Sequence, residues 1–292
     1  MMMQAQRALL DEGRWHFQHG PIDIVIDAEG DDEAVATAHE AAWRRFQTVL
    51  PELVAELPVL RLPVRGPCPL QGVIARRMWH ACRPHHSVFI TPMAAVAGSV
   101  AQELIGCYER EGIARAWVNN GGDIALHLAA GASVRVGLFA DLARLDPSHA
   151  HVDGHFEVRA DMPVRGVATS GWRGRSFSLG IADSVTVLAR SAAQADAAAT
   201  MIANAVDVVD ARIRRAPANQ LEDDSDLGEM LVTADVPALE PALIQRALQA
   251  GQRRARELQR AGLIHSAVLV CQDVWLRVEV WAPESELGSV LA

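Results

Sequence analysis

The first clear alternation of apolar and polar residues is "IDIVID", Ile22 to Asp27, which predicts a strand. Helical spacing follows from Asp31 to Leu50, with an acidic first turn that suits the positive end of a helix dipole. Residues before this strand show no period and read as a floppy start. "PVLRLPVRGPCP", Pro58 to Pro69, holds four prolines, and a proline lacks the N–H that a helix interior needs. A crossover or surface loop is therefore expected there. Helical spacing resumes at Gly72 to Cys82, a strand is expected at Ser87 to Ile90, and a long helix at Ala94 to Arg110. Small residues on its early turns would let another backbone or a ligand come close.

Arg115 to Val118 and Ile124 to Leu128 both read as short strands, and the "NNGGD" between them is a strong hairpin signal. The same glycines ending in an aspartate could also border something anionic, and the local pattern leaves both readings open. A strand from Ser133 to Phe139 and a histidine-rich loop from Pro147 to His155 come next. "FSLGIADSVTVLA" contains a buried strand at Ser184 to Leu188. Ser191 with Gln194 three residues on fits a capping box opening a helix that runs to about Arg214. Residues 215–230, with "LEDDSDLGE", read as a solvated, mobile acidic loop. An arginine-rich helix, Glu240 to Ala261, and a strand, Ala267 to Val280, complete the chain. Strands and helices mix without a strict βαβ rhythm, and no repeat is visible. The expected class is α+β, with mixed sheets and packed helices in one domain over residues 1–292.

Composition narrows the chemistry. Half of the 292 residues are apolar, so the chain can bury a large core. No apolar run spans a bilayer, and the first twenty residues lack the features of a signal peptide, so a cytoplasmic protein with no membrane partner is expected. Four scattered cysteines, without a CxxC pair, suggest reduced thiols. With 27 basic and 36 acidic residues the net charge is −9, which disfavours nucleic acid as a partner. Every basic residue is arginine. Schiff-base catalysis and a Walker A loop both need a lysine and are excluded from this polypeptide. Phosphate must be held by arginine, backbone N–H groups or a metal.

In "ADAAATMIANAV" the helical repeat aligns Asp196, Thr200 and Asn204, with Ile202, Val206 and Val209 pointing the other way. A solvated helix face is one reading. Against it, such faces are built from Glu, Arg and Lys, whereas this stripe offers short oxygen-bearing side chains among alanines. A carboxylate and a hydroxyl one turn apart are hard ligands suited to Mg²⁺, which binds oxygens at about 2.0–2.1 Å and shares substrate phosphates. "VATSGWRGRS" gathers Thr169, Ser170, Gly171, Arg173 and Arg175; it is either an ordinary turn or a set of hydroxyls and guanidinium groups for phosphate or ribose. The histidines of "HACRPHH" and His149, His151 and His155 have no carboxylate or cysteine at a familiar metal spacing, and no role is assigned to them. Neither a GxSxG nor an HExxH is present.

Three segments in this order, "VNNGGDI" at Val118 to Ile124, "VATSG" at Val167 to Gly171 and "SVTVLARSAAQADAAAT" at Ser184 to Thr200, resemble the ApbE-like superfamily, which includes FAD:protein FMN transferases. The resemblance is closest to an uncharacterised ApbE-related branch, with "TPMAAVAG", Thr91 to Gly98, where the transferases carry a glycine-rich helix start with a lysine. It implies two intimately packed subdomains with the active cleft between them. It further implies that Asp196 and Thr200 are Mg²⁺ ligands, and that Asn119, Gly121, Gly122, Asp123, Thr169, Ser170 and Gly171 border a flavin nucleotide. Two departures stand out. The position near Ala97 is not lysine, and the transferases' Ser-His-Ile segment with its Pro-x-Thr-Gly turn is replaced by "FSLGIADS". No catalytic residue is assigned. The resulting expectation is an Mg²⁺-dependent protein that binds FAD or another phosphoanhydride without being a standard FMN transferase. The alternative is a non-catalytic module for a flavin or other small metabolite. A nucleotide-like small molecule is the expected partner, and a homo-oligomer is left open.

Overall fold

The computed structural model describes residues 4–10, 13–138, 154–174, 176–223 and 225–279. Nine strands form one sheet in which every neighbouring pair is antiparallel, in the order β1-β2-β3-β4-β5-β8-β9-β12-β13. They are β1 Gln6–Leu9, β2 Trp15–His19, β3 Ile22–Gly30, β4 Ile113–Asn120, β5 Asp123–Leu128, β8 Gly166–Ser170, β9 Ser184–Ala189, β12 Ser266–Cys271 and β13 Val274–Val278. Two further pairs stand apart: β6 Ser133–Leu138 with β7 Gly154–Arg159, and β10 Arg214–Pro217 with β11 Leu231–Asp235. The helices are α1 Asp32–Leu60, α2 Val73–Cys82, α3 Val96–Ile105, α4 Ala192–Ala205, the short α5 Ala218–Leu221 and α6 Pro241–Arg260. This is the α+β arrangement expected from the sequence, and no helix is long and apolar enough to cross a membrane among the described residues.

Strand alternation sorts the two faces of the sheet. Ala125 packs into the cluster built with α1, α2 and α3, whereas Leu126 and Leu128 pack with Val136 and Val158 of the β6–β7 hairpin. Helices therefore cover one face and the small hairpin the other. α4 lies at a seam. Ala193, Ala197 and Met201 belong to the cluster with α1–α3, while Ala195, Ala198, Ala199, Ile202 and Ala203 belong to a second cluster with α6, β9 and β12. Alanine suits this position because it is the best helix former and its small side chain lets backbones approach.

Several expectations are corrected. The start is ordered: β1 and β2 pair as a hairpin at one sheet edge. α1 does not stop at Leu50 but continues through Pro51 and Pro58 to Leu60. Its buried positions Val49, Leu53 and Leu60 maintain the core face, and Arg45 grips both oxygens of Glu52 at 2.8 Å across the first proline. Ser87 to Ile90 forms no strand; Ile90 accepts a backbone bond from Val64, and 3-10 turns flank the segment. The helix expected from Ala94 begins as a 3-10 turn, Pro92–Ala95, and α3 itself ends at Ile105. α4 ends at Ala205 rather than near Arg214, so Val209 is not helical and stands exposed. His155 lies in β7, opposite Gly137. His149 and His151 lie outside the described residues, as does Arg175. The acidic stretch 215–230 contains part of β10 and α5, and Asp226 accepts a bond from Thr91 Oγ1 at 2.5 Å. The closing strand is a hairpin, β12–β13, whose turn residues Gln272 and Asp273 have φ of 45° and 64°. Positive φ at both positions is what a type I′ turn needs.

Candidate functional site

The Asn119 to Asp123 segment is a two-residue hairpin. Asn120 pairs with Asp123, and Gly121 and Gly122 between them have φ of 66° and 112°, values that side chains disfavour. Asn119 Oδ1 accepts from the Gly122 N–H at 2.8 Å and holds the turn. Asn120 and Asp123, as cross-strand partners, share the helix-covered face; Asn120 Nδ2 donates to Ala97 O of α3 at 3.1 Å. Alternation turns Asn119 to the opposite face, with its partner Ile124.

The β5–β8 ladder is only two residue pairs long, Ile124 with Val167 and Ala125 with Gly166. Beyond it the strands part, and the Asp123 carboxylate accepts the Thr169 N–H at 3.2 Å. Thr169 Oγ1 meets Thr186 Oγ1 at 3.0 Å on the face away from the helices. Ser170, opposite Val185, lies on the helix-covered face with Asp123. Gly171 has no room for a side chain, since a Cβ would stand 2.3 Å from Asp183 O. The nine residues singled out in the sequence therefore divide. Asp123, Ser170, Asp196 and Thr200 belong to the helix side, whereas the side chains of Asn119 and Thr169 serve the turn and the far face.

Ser191 caps α4, its Oγ accepting from Gln194 N at 3.4 Å. That start fixes where Asp196 points. α3 has Ala95 at its N-cap position and no side-chain cap of its own. The Asp196 carboxylate takes that place from a different helix, accepting from the N–H groups of Ala97 and of Gly98, the latter at 2.9 Å. A Cβ on Gly98 would stand 2.4 Å from Ala192 O and 2.9 Å from the Asp196 Cβ, so glycine is what allows α3 and α4 to meet. Thr200, half-buried one turn further on, makes no side-chain hydrogen bond among the described residues. Asn204, third in the stripe, is structural: its Oδ1 accepts from Ser178 Oγ at 3.2 Å and Leu179 N at 2.9 Å.

Asp123 and Asp196 thus stand close enough for the charge of one to act on the other. Burial pushes Asp123 up to about 7, against which the Thr169 N–H acts weakly. Burial also raises Asp196 well above the carboxylate range, and the neighbouring Asp123 charge adds to the shift; the Gly98 and Ala97 N–H groups oppose it. Neither carboxylate forms an ion pair among the described residues. Asp183, which the sequence reading passed over, differs. It accepts from Trp172 Nε1 at 3.2 Å and Gln272 N at 2.5 Å and pairs with Arg173 at 3.3 Å, tying the 171–173 loop to the β12–β13 turn. Asn120, Gly98 and Asp183 were the site neighbours that sequence reasoning did not single out; the small residues at the start of α3 and the "TPMAAVAG" resemblance were the signals for Gly98.

A family model described as AbpE bacteria matches residues 6–281. The chain belongs to that family. Its relatives include UPF0280 proteins of Methanosphaerula palustris, 34% identical over 195 residues, and Methanopyrus kandleri, 36% identical over 202 residues. Each alignment covers 66% of this chain, with 77% and 75% of the respective relative. A UPF0280 protein of Methanospirillum hungatei is 38% identical over 122 residues, 41% of this chain and 47% of that relative. Among solved structures, the apo flavinyl transferase ApbE of Pseudomonas stutzeri aligns over 100% of both chains with 11% identity and a TM-score of 0.45.

Proposed function

We infer that the residues around Asp123 and Asp196 at the start of α3 bind Mg²⁺ together with a flavin nucleotide or another phosphoanhydride. The observation that carries this reading is the Asp123–Asp196 pair, a buried and a half-buried carboxylate with no cationic partner among the described residues. Buried charges of like sign are costly unless something neutralises them, and a divalent cation does so directly. The donor types suit Mg²⁺: two carboxylates and the Thr200 hydroxyl are hard oxygens. When bound, the metal supplies charge neutralisation for a diphosphate. Asp196 holds the first turn of α3 in place, Asn120 fixes the Ala97 carbonyl, and Ser170 lies on the same face of the sheet as Asp123.

A non-catalytic binding module is the second reading, and a specific observation favours it. The Phe177 to Ser184 segment, where the transferases carry a histidine, is packed as structure here. Ser178 is buried on Asn204, Gly180 N donates to Ser178 Oγ, and Gly180 O accepts from Thr233 Oγ1. The segment's one titratable group, Asp183, is already engaged by three donors. Isothermal titration of FAD with Mg²⁺ and with EDTA tests the binding reading: heat with the metal and none without it supports the proposal, and identical titrations remove the metal from it.

A further inference from the structure

A cavity of about 530 Å³ opens where the chain after α1 folds over the C-terminal end of α2. Arg65 and Cys68 line it from the loop, and Trp79, His80, Arg83 and His86 from α2 and the 3-10 turn that follows it. Among the described residues no aspartate or glutamate lines it, although the chain carries nine more acidic than basic residues. Neither Arg65 nor Arg83 forms an ion pair among the described residues. Arg83 lies over the Trp79 ring at 5.4 Å, and His80 meets the same ring edge-on at 5.1 Å. The buried indole thus gives the cationic wall a rigid backing. The dipole of α2 accounts for cationic residues at its C-terminal end. It does not account for Arg65, which arrives from a separate loop and lines the same space.

We propose that this cavity is a binding site for a phosphate-bearing organic anion of about nucleotide size. Guanidinium groups match phosphate oxygens in paired hydrogen bonds, and arginine is the sole long cation this chain uses. An inorganic ion would leave most of the space empty, whereas small-molecule sites commonly enclose roughly 300–1,000 Å³. With no carboxylate to hold a metal, binding here is independent of Mg²⁺. The site shares no lining residue with the Asp123–Asp196 pair and stands or falls separately from it.

Isothermal titration in EDTA near neutral pH, with AMP, glucose 6-phosphate, inorganic phosphate and adenosine, tests the assignment. At least one of the two organic phosphates should bind one per chain, about tenfold or more tighter than inorganic phosphate or adenosine. Arg65→Gln and Arg83→Gln should each weaken it about tenfold, and because both side chains are exposed the fold should be unchanged by circular dichroism. Asp196→Asn should leave it unaltered. No heat from either organic phosphate at about 1 mM overturns the proposal. So does equal binding of adenosine or of inorganic phosphate, unchanged affinity in both arginine variants, or loss of binding in Asp196→Asn, which would move the ligand to the carboxylate pair.

Discussion

Replacing Asp123 with asparagine should make the metal-free protein more stable at alkaline pH, although it removes a residue of the candidate site. Burial raises this carboxyl from 3.8 to about 7. The sign follows from linkage. Below pH 3.8 the group is protonated in both folded and unfolded chains and contributes nothing. As pH rises the unfolded chain loses its proton first, so the fold is progressively destabilised until the folded group also ionises near 7. Three units at about 1.4 kcal/mol each give roughly 4 kcal/mol lost by pH 8, of which about 1 kcal/mol is already gone at pH 4.5. Asparagine keeps the oxygen that accepts the Thr169 N–H but brings an amide needing its own partner, a cost of about 1–3 kcal/mol that does not depend on pH. The quantity to read is therefore the change in the mutant-minus-wild-type difference between pH 4.5 and pH 8, where that cost cancels. It should favour the variant by about 3 kcal/mol, or roughly 5 °C in Tm for a chain of this length. Scanning calorimetry of both proteins in EDTA at the two pH values measures it. A difference that stays constant with pH would refute the claim that an uncompensated carboxylate resides at Asp123.

Gly98→Ala should destabilise by roughly 3 kcal/mol or more, because α3 and α4 must separate to admit a Cβ; denaturant unfolding measures it, and a loss under 1 kcal/mol would mean that the contact yields easily. Asp196→Asn should weaken Mg²⁺-dependent binding of FAD or ADP more than Thr200→Val does, since a carboxylate offers the cation a full charge and a hydroxyl only a dipole; titration calorimetry of both variants decides the order. Tyr108→Phe should destabilise by about 1–2 kcal/mol, because it leaves buried His39 Nδ1 without the 2.7 Å partner it now has; urea melts report the loss. Incubation with FAD, Mg²⁺ and an acceptor domain used by ApbE transferases should leave the acceptor mass unchanged, and a gain of one FMN would overturn the reading of "FSLGIADS" as a structural segment.

Local signals in the sequence were reliable where the residues involved are neighbours in the chain. The Gly121–Gly122 hairpin and the Ser191 cap each depend on contacts within a few residues. The errors arise where distant parts of the chain decide. Proline at positions 51 and 58 argues for a break, yet the apolar face of α1 continues past both, and burial of Leu53 and Leu60 outweighs the missing N–H groups. Conversely, nothing in Arg212 to Arg214 forbids helix, but α4 stops at Ala205. Val206 turns back there so that its carbonyl accepts from Ile181 N and its N–H donates to Ile202 O. The strand expected at Ser87 to Ile90 had the right residues but no strand to pair with among the described residues.

The same distinction governs the site. The i, i+4 spacing of Asp196 and Thr200 was visible along the chain, and the structure gives Asp196 a contact with the start of α3. What faces it was not visible, because Gly98 and Asn120 are 98 and 76 residues away from Asp196. The structure shows that Asp196 has two capacities at once. It accepts the orphan N–H groups at the start of α3, and it faces a second carboxylate. A cap alone would be served by serine or asparagine at Ala95, within the helix itself, and would not require a charge brought across from α4. A metal ligand alone would not need two backbone donors that compete for its lone pairs. In the proposed metal site the two tasks fit together: the helix N–H groups fix the carboxylate and favour its ionised form, opposing the burial and the Asp123 charge that raise it. A cation arriving between Asp123 and Asp196 would then meet ligands already held in place, and the stability that their mutual repulsion withholds would return as metal affinity.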